Sequence, residues 1–167
     1  MSIRAAIKRH VKAGRLSGLE MSVPGDAAKR GLYLSPDVQE LLDGPWISPR
    51  CAQRVNRLRA DLEAFVKEEP VIACLDPFEA EDAFFGRLDR PDDEVWDVRS
   101  RDPKPGLRLF GRFACPDIFV AFTWAPRSVQ WNGREPMGDR YDPRWEQMKE
   151  VCYREWDCQD FRVWAGG

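Results

Sequence analysis

Residues 118–125 read Ile-Phe-Val-Ala-Phe-Thr-Trp-Ala, apolar at odd and even positions alike apart from one threonine. A strand with one wet face alternates apolar and polar side chains, whereas one that is apolar on both faces belongs in the interior of a sheet. The strand predicted over 117–125 is therefore central, and the chain must supply its neighbours. Segment 106–114 precedes it across the tight turn Cys115-Pro116-Asp117, and 94–100 comes before that across the rigid exposed loop Arg101-Asp102-Pro103-Lys104-Pro105-Gly106. Together these predict a three-stranded antiparallel meander. A weaker strand is expected at 71–75, and a short one at 161–164 returning to the sheet edge.

Helix starts are marked by prolines. Ser35-Pro36, Ser48-Pro49, Asp76-Pro77 and Asp142-Pro143 each set a capping side chain before a proline suited to the first helical position. The first predicts a short helix ending at Gly44. The second predicts a helix of about 20 residues, closed by Pro70, with Val55, Leu58, Leu62 and Phe65 on its apolar stripe. Asp76 with Glu79 resembles a capping box and predicts a short helix through Phe85, ended by Gly86. After Asp142, the stripe Trp145, Met148, Cys152, Trp156 predicts another long helix, with Glu150 and Arg154 paired on its wet side. At the N-terminus, Ile3, Ala6, Ile7, His10 and Val11 form the apolar side of a basic amphipathic segment that stops at Gly14. It reads as a docked helix, an organelle presequence or a nucleic-acid arm.

A chain of 167 residues with 43% apolar content is long enough for one core. The fold class expected is α+β, an antiparallel meander packed against helices, with residues 1–47 as an N-terminal helical extension and 48–167 as the main domain. Its longest apolar runs are too short to span a bilayer and no signal-type segment follows Met1, so the expectation is a soluble, cytoplasmic protein without membrane partners. Cysteines 51, 74, 115, 152 and 158 are scattered without a CxxC pair, and His10 is the only histidine. That set argues against a disulfide framework and a zinc site, and no metal or other cofactor is expected. Five reduced thiols is the reading.

Charge is unevenly distributed. Residues 4–15 carry five cations and no acid, 61–97 carry thirteen acids against three bases, and Arg99, Arg101, Lys104, Arg108 and Arg112 follow with only Asp102 among them. Arginines outnumber lysines twenty to six, which favours planar contacts with carboxylate or phosphate or reflects codon usage. On the strand 107–113, alternation places Leu107, Leu109 and Phe113 on one face and Arg108, Phe110 and Arg112 on the other. The second face is either a charged working surface or a set of cross-strand partners for Asp97, Glu94 and neighbouring acids.

Val95-Trp96-Asp97-Val98-Arg99, Leu107-Arg108-Leu109-Phe110 and the run 118–127 ending in Ala125-Pro126-Arg127 resemble the three strands of the RelE/ParE toxin superfamily, in its HigB-like, phage-derived branch; the helix from Ser48 fits that family's leading helix. The resemblance spans about residues 48–160, with its motif-like part at 94–127. It implies a toxin of a type II toxin-antitoxin system, a metal-independent mRNA endonuclease or topoisomerase poison, with an antitoxin protein and mRNA or the ribosome as partners. Such chemistry asks for cations around the scissile phosphate: Arg108, Arg112 and Arg99, with Lys104 and Tyr141 for proton transfer. Arg101 and Arg127 would extend the cationic surface and Phe110 would carry an unstacked base. Asp97 and Glu94 are further proton-transfer candidates, and His10 is read as a packed side chain.

A second class of function fits the same residues. With a balance of −10, the stretch 61–97 would repel RNA and attract a basic partner, as in a non-catalytic inhibitor, phage- or mobile-element-encoded, that occupies a nucleic-acid-binding host protein. A small-molecule enzyme finds no Gly-rich phosphate loop, nucleophile elbow or metal motif here. Trp96, Trp124, Trp145, Trp156 and Trp164 fall on expected elements and read as core; Trp46 and Trp131 fall in loops and read as contact residues.

Overall fold

The computed structural model describes residues 2–25, 27–75, 83–104, 106–131, 133–139 and 141–159. In chain order the elements are α1 (Ile3–Lys12), β1 (Ser17–Gly18), β2 (Gly31–Leu34), α2 (Pro36–Asp43), α3 (Pro49–Val66), β3 (Ala73–Cys74), β4 (Phe85–Arg87), β5 (Trp96–Ser100), β6 (Leu107–Cys115), β7 (Ile118–Pro126) and α4 (Arg144–Gln159). The class is α+β. Among the described residues no helix is long and apolar enough to cross a membrane.

Three of the four proline-marked helix starts lie among the described residues and form as their caps dictate. Ser35 Oγ accepts from Val38 N at 3.3 Å and Ser48 Oγ from Cys51 N at 3.2 Å, each followed by proline in the first turn. Asp142 does the same for α4, its carboxylate accepting from Arg144 N at 2.9 Å. The apolar stripes then decide which side of each helix is buried: Val55, Leu58, Leu62 and Phe65 on α3, Cys152 and Trp156 on α4.

The sheet is mixed rather than an antiparallel meander. Seven strands run in the order β1-β2-β7-β6-β5-β4-β3, and β2 lies parallel to β7, β3 parallel to β4. Within it β5, β6 and β7 are joined as consecutive antiparallel pairs. All nine residues of β7 are buried, as an apolar run on both faces requires. A bulge at Phe110/Gly111 lets β6 turn across β7, and only glycine fits there: a Cβ on Gly111 would lie 2.9 Å from the Ala121 Cα and closer still to the Val120 carbonyl oxygen.

Each face of the sheet carries its own core. On one, Leu107, Leu109 and Phe113 of β6 meet Leu34, Phe119 and Trp124 and are covered by Val38 and Leu42 of α2 and Leu58 and Leu62 of α3. On the other, Phe110 of β6 and Val120 and Phe122 of β7 lie with Ile7 of α1 and Cys152 and Trp156 of α4. At about 1.5–3 kcal/mol for each large apolar side chain taken out of water, neither layer is dispensable.

Three expectations are corrected here. Residues 1–47 are not a helical extension: they supply β1, β2 and α2, and Leu32, Leu34, Val38 and Leu42 stand in the core. The helix expected through Phe85 gives way to strand β4 at its far end, because Phe85 pairs with Val98 and its ring meets Phe65, Phe113 and Phe119 in one aromatic cluster; residues 76–82, with the capping box, lie outside the described residues. Trp131 is not a contact residue on the surface, being 2% exposed against Trp124, while Trp46 is half-buried and donates its indole N–H to the Leu41 carbonyl at 2.8 Å. The strand expected at 161–164 and the side chains of Cys158 and Trp164 lie outside the described residues. Cys51, Cys74, Cys115 and Cys152 are free thiols.

Candidate functional site

The alternation along β6 holds in three dimensions: Leu107, Leu109 and Phe113 point to the α2–α3 side, and Arg108, Phe110 and Arg112 to the opposite side. That arginine face is the floor beneath α4. Phe110 is fully buried, edge-on to Trp145 of α4 at 5.8 Å, and so is not a platform for a base.

Asp97 organises the first cluster. It is fully buried on β5, opposite Phe110, with Arg99 two residues on and opposite Arg108. Arg99 Nε donates to Asp97 Oδ1 at 2.9 Å, and Arg108 Nη1 donates to Oδ2, so one carboxylate serves two cations through separate oxygens. The Arg108 guanidinium lies 5.3 Å over the Trp145 ring, and its burial lowers its pKa, with Asp97 opposing the shift. Gly86 makes room for Arg99: a side chain there would place its Cβ 2.6 Å from the Arg99 guanidinium carbon.

Arg112 anchors a second cluster, four residues and thus roughly 13 Å along the strand. It is 7% exposed. Its Nε donates to the Glu94 carbonyl at 3.2 Å and its Nη2 to the Asp93 carbonyl at 2.7 Å, while its guanidinium lies 5.3 Å from both the Tyr153 and the Trp156 rings. These carbonyls are aimed by the turn that precedes β5, where Glu94 takes a left-handed φ of 51°. The Glu94 carboxylate accepts from Trp96 Nε1 at 3.2 Å and pairs with Arg87 at 3.4 Å. Lys149 of α4, 1% exposed, closes the turn from above, donating to the Asp89 carbonyl at 2.8 Å and pairing with Asp93 at 2.9 Å. Burial acts to raise the Asp93 pKa, but Lys149 and the Tyr153 hydroxyl outweigh it and hold the acid below its usual range.

Of the remaining expected residues, Arg127 stands near enough to Arg108 for its charge to help lower that arginine's pKa. Arg127 donates to the carbonyls of Met137 at 3.0 Å and Gly138 at 2.6 Å, tying down the loop before α4. Arg101 is half-buried at the start of the β5–β6 loop. Lys104 is exposed, its carbonyl accepting from Arg50 at 3.1 Å, and with Arg50, Cys51, Gln130 and Trp131 it lines a cleft of about 150 Å³ at the N-terminal end of α3. Tyr141 is 77% exposed. His10 is 2% exposed, its Nδ1 accepting from Arg15 at 3.0 Å, a packed side chain as read.

Two buried cations escaped sequence reasoning. Arg54 of α3 is fully buried and donates to the Ser100 carbonyl, while Ser100 Oγ donates to Asp61 at 2.9 Å. Lys149 is the other. Arg54 sits next to Val55 on the apolar stripe, and such a position with acids on a facing element is the available signal. Among the described residues no group of three or more His, Cys, Asp or Glu stands together as metal ligands. Comparison of the chain with protein-family models, curated proteins and solved structures returned no match.

Proposed function

We propose that this protein acts by binding rather than by catalysis, as an interaction protein that presents acids of the stretch 61–97 to a basic, nucleic-acid-binding partner. What supports this reading is how the arginine face is spent. Arg99 and Arg108 share a buried Asp97, Arg112 is bonded to two main-chain carbonyls between two rings, and α4 lies over Arg108 and Arg112. A phosphate could engage Arg99 and Arg108 only by drawing them from Asp97, and leaving that buried carboxylate without its cations costs several kcal/mol.

The acids divide between interior and surface. Asp93, Glu94 and Asp97 are engaged internally, whereas Glu68 and Glu69 after α3 and Asp89 and Asp92 between β4 and β5 are exposed; Asp76, Glu79, Glu81 and Asp82 lie outside the described residues. The outward acids border the β3–β4 end of the sheet. Two measurements test the reading. Purified protein incubated with a defined mRNA is expected to leave it intact, and new ends with 2′,3′-cyclic phosphate would restore the RelE/ParE-type ribonuclease reading. Binding to an arginine-rich peptide by fluorescence anisotropy is expected to weaken about tenfold in the variant Glu68→Gln, Glu69→Gln, Asp89→Asn, Asp92→Asn. Equal affinity of both proteins would remove the acidic surface from the proposal.

A further inference from the structure

We propose that the solvent face of α1 is a contact surface for the phosphate backbone of nucleic acid, an inference independent of the acidic surface above. The helix is capped by Ser2, whose Oγ accepts from Ala5 N at 3.2 Å, and it docks through Ala6, Ile7 and His10, at 7%, 2% and 2% exposure. On the other side Arg4, Lys8, Arg9 and Lys12 are exposed, and Arg15 follows just beyond the helix. No acid occurs among residues 1–19, and none of the four helical cations pairs with a carboxylate among the described residues.

Structural roles account for only part of this pattern. Arg9 and Lys12 stand in the last turn, where cations complement the helix dipole. Arg4 stands in the first turn, where the dipole opposes a cation, and no acid is there to offset it. Arg4 with Lys8 and Lys8 with Lys12 are like-charged pairs at i,i+4, each unfavourable to the helix. The arrangement carries this repulsion without internal return. It does set three cations in line at intervals of about 6 Å, with Arg9 beside them, which suits a repeating line of negative charge.

The chemistry of the face selects among polyanions. An amphipathic helix that binds an anionic membrane needs an apolar side to insert, and that of α1 is already buried in the core layer that also holds Val120 and Phe122. The tightest protein contacts centre on desolvated aromatic or apolar anchors, and the face offers only Val11, 39% exposed. Phosphate contacts need neither. They require cations held on a rigid support, and they carry no sequence preference.

The test uses the full chain with a fluorescent 20-base-pair DNA duplex, a 20-nucleotide RNA, and phosphatidylserine vesicles, over 50–200 mM salt. Expected is binding of nucleic acid that is indifferent to its sequence, with log K falling against log salt at a slope of about −3.6 for four duplex phosphates and about −2.8 for a single strand. The variant Arg4→Gln, Lys8→Gln, Arg9→Gln, Lys12→Gln should lose at least about tenfold in affinity and most of that slope, while melting close to the parent temperature because relief of the repulsion offsets the loss of the two last-turn cations. A melt that falls instead would call for the single variant Lys8→Gln, expected to fold and to reduce the slope by about one unit on duplex. No binding at 50 mM salt, equal binding by the variants, or binding to vesicles in preference to nucleic acid would each overturn the proposal.

Discussion

At the residue scale, Asp97 shows why a charged strand face can be interior. Its two oxygens meet Arg99 and Arg108, which are 10% and 15% exposed, so the cluster holds two cations around one anion out of water. Pairs of this kind add little net stability when intact and cost a great deal when half is removed. Asp97→Asn should therefore destabilise the protein by roughly 3–5 kcal/mol, a drop in Tm on the order of 10 °C, read by thermal and urea unfolding. Lys104→Gln, on an exposed loop, serves as the control and should leave Tm unchanged within experimental error. A mild Asp97→Asn phenotype would mean that the two arginines are stabilised by something other than this carboxylate. The alternation of residues 107–113 was legible from the sequence. Its alternative reading, cross-strand pairing of the arginines with Asp97, Glu94 and neighbouring acids, holds for Arg108 with Asp97, whereas Arg112 bonds the main-chain carbonyls of Asp93 and Glu94.

At the scale of elements, α4 decides what the arginine face is. Its stripe Trp145, Met148, Cys152, Trp156 was readable from spacing, but the periodicity says only that one side is apolar, not which surface it covers. Covering β6 and β7, it places a thiol and a phenol where neither ionises readily: burial pushes Cys152 up to about 12, and burial with Asp93 nearby also raises Tyr153. Each group holds its proton in the folded state to a higher pH than in the unfolded chain, where a thiol titrates near 8.5 and a phenol near 10. Their stabilising contribution is complete below those values and is lost as pH rises toward the folded ones. Stability should accordingly fall above about pH 9, by up to about 1.4 kcal/mol per pH unit for the thiol. Urea unfolding between pH 8 and 11 should show this slope in the parent and a shallower one in Cys152→Ala. An identical slope in both would place the alkaline sensitivity elsewhere.

For the whole molecule, the decisive contact is the one between β2 and β7. Gly31 to Leu34 run parallel to Ile118 to Ala121, joining segments almost ninety residues apart, and α2 follows directly onto the core. Removal of residues 1–34 should therefore abolish the cooperative thermal transition, since it strips a hydrogen-bonded neighbour from the central strand and takes Leu32 and Leu34 from the core. A shortened chain that still melts cooperatively would show that β7 tolerates an open edge and that the first third of the chain is an addition to a self-sufficient domain. The strand was missed because four residues, Gly-Leu-Tyr-Leu, between a glycine-containing loop and a capped helix carry too short an alternation to stand out. Gly86 hid β4 in a similar way. By its position it reads as a helix stop, whereas its role is to let the Arg99 guanidinium lie close against the strand.

The sequence by itself determined whatever depends on neighbours within a turn or two: the caps at Ser35, Ser48 and Asp142, the stripes of α3 and α4, the hairpins joining β5, β6 and β7, and the two-sidedness of β6 and β7. Tertiary structure alone decided the rest: that β2 runs parallel beside β7, that α4 and not solvent lies over Arg108 and Arg112, and that Arg54 and Lys149 are interior. The reason is physical. Periodicity and capping arise from backbone geometry repeated over a few residues, so they are written locally. Whether an arginine is wet or buried is settled by the balance between desolvation and a partner such as Asp97, and both terms are set by which distant element comes to cover it.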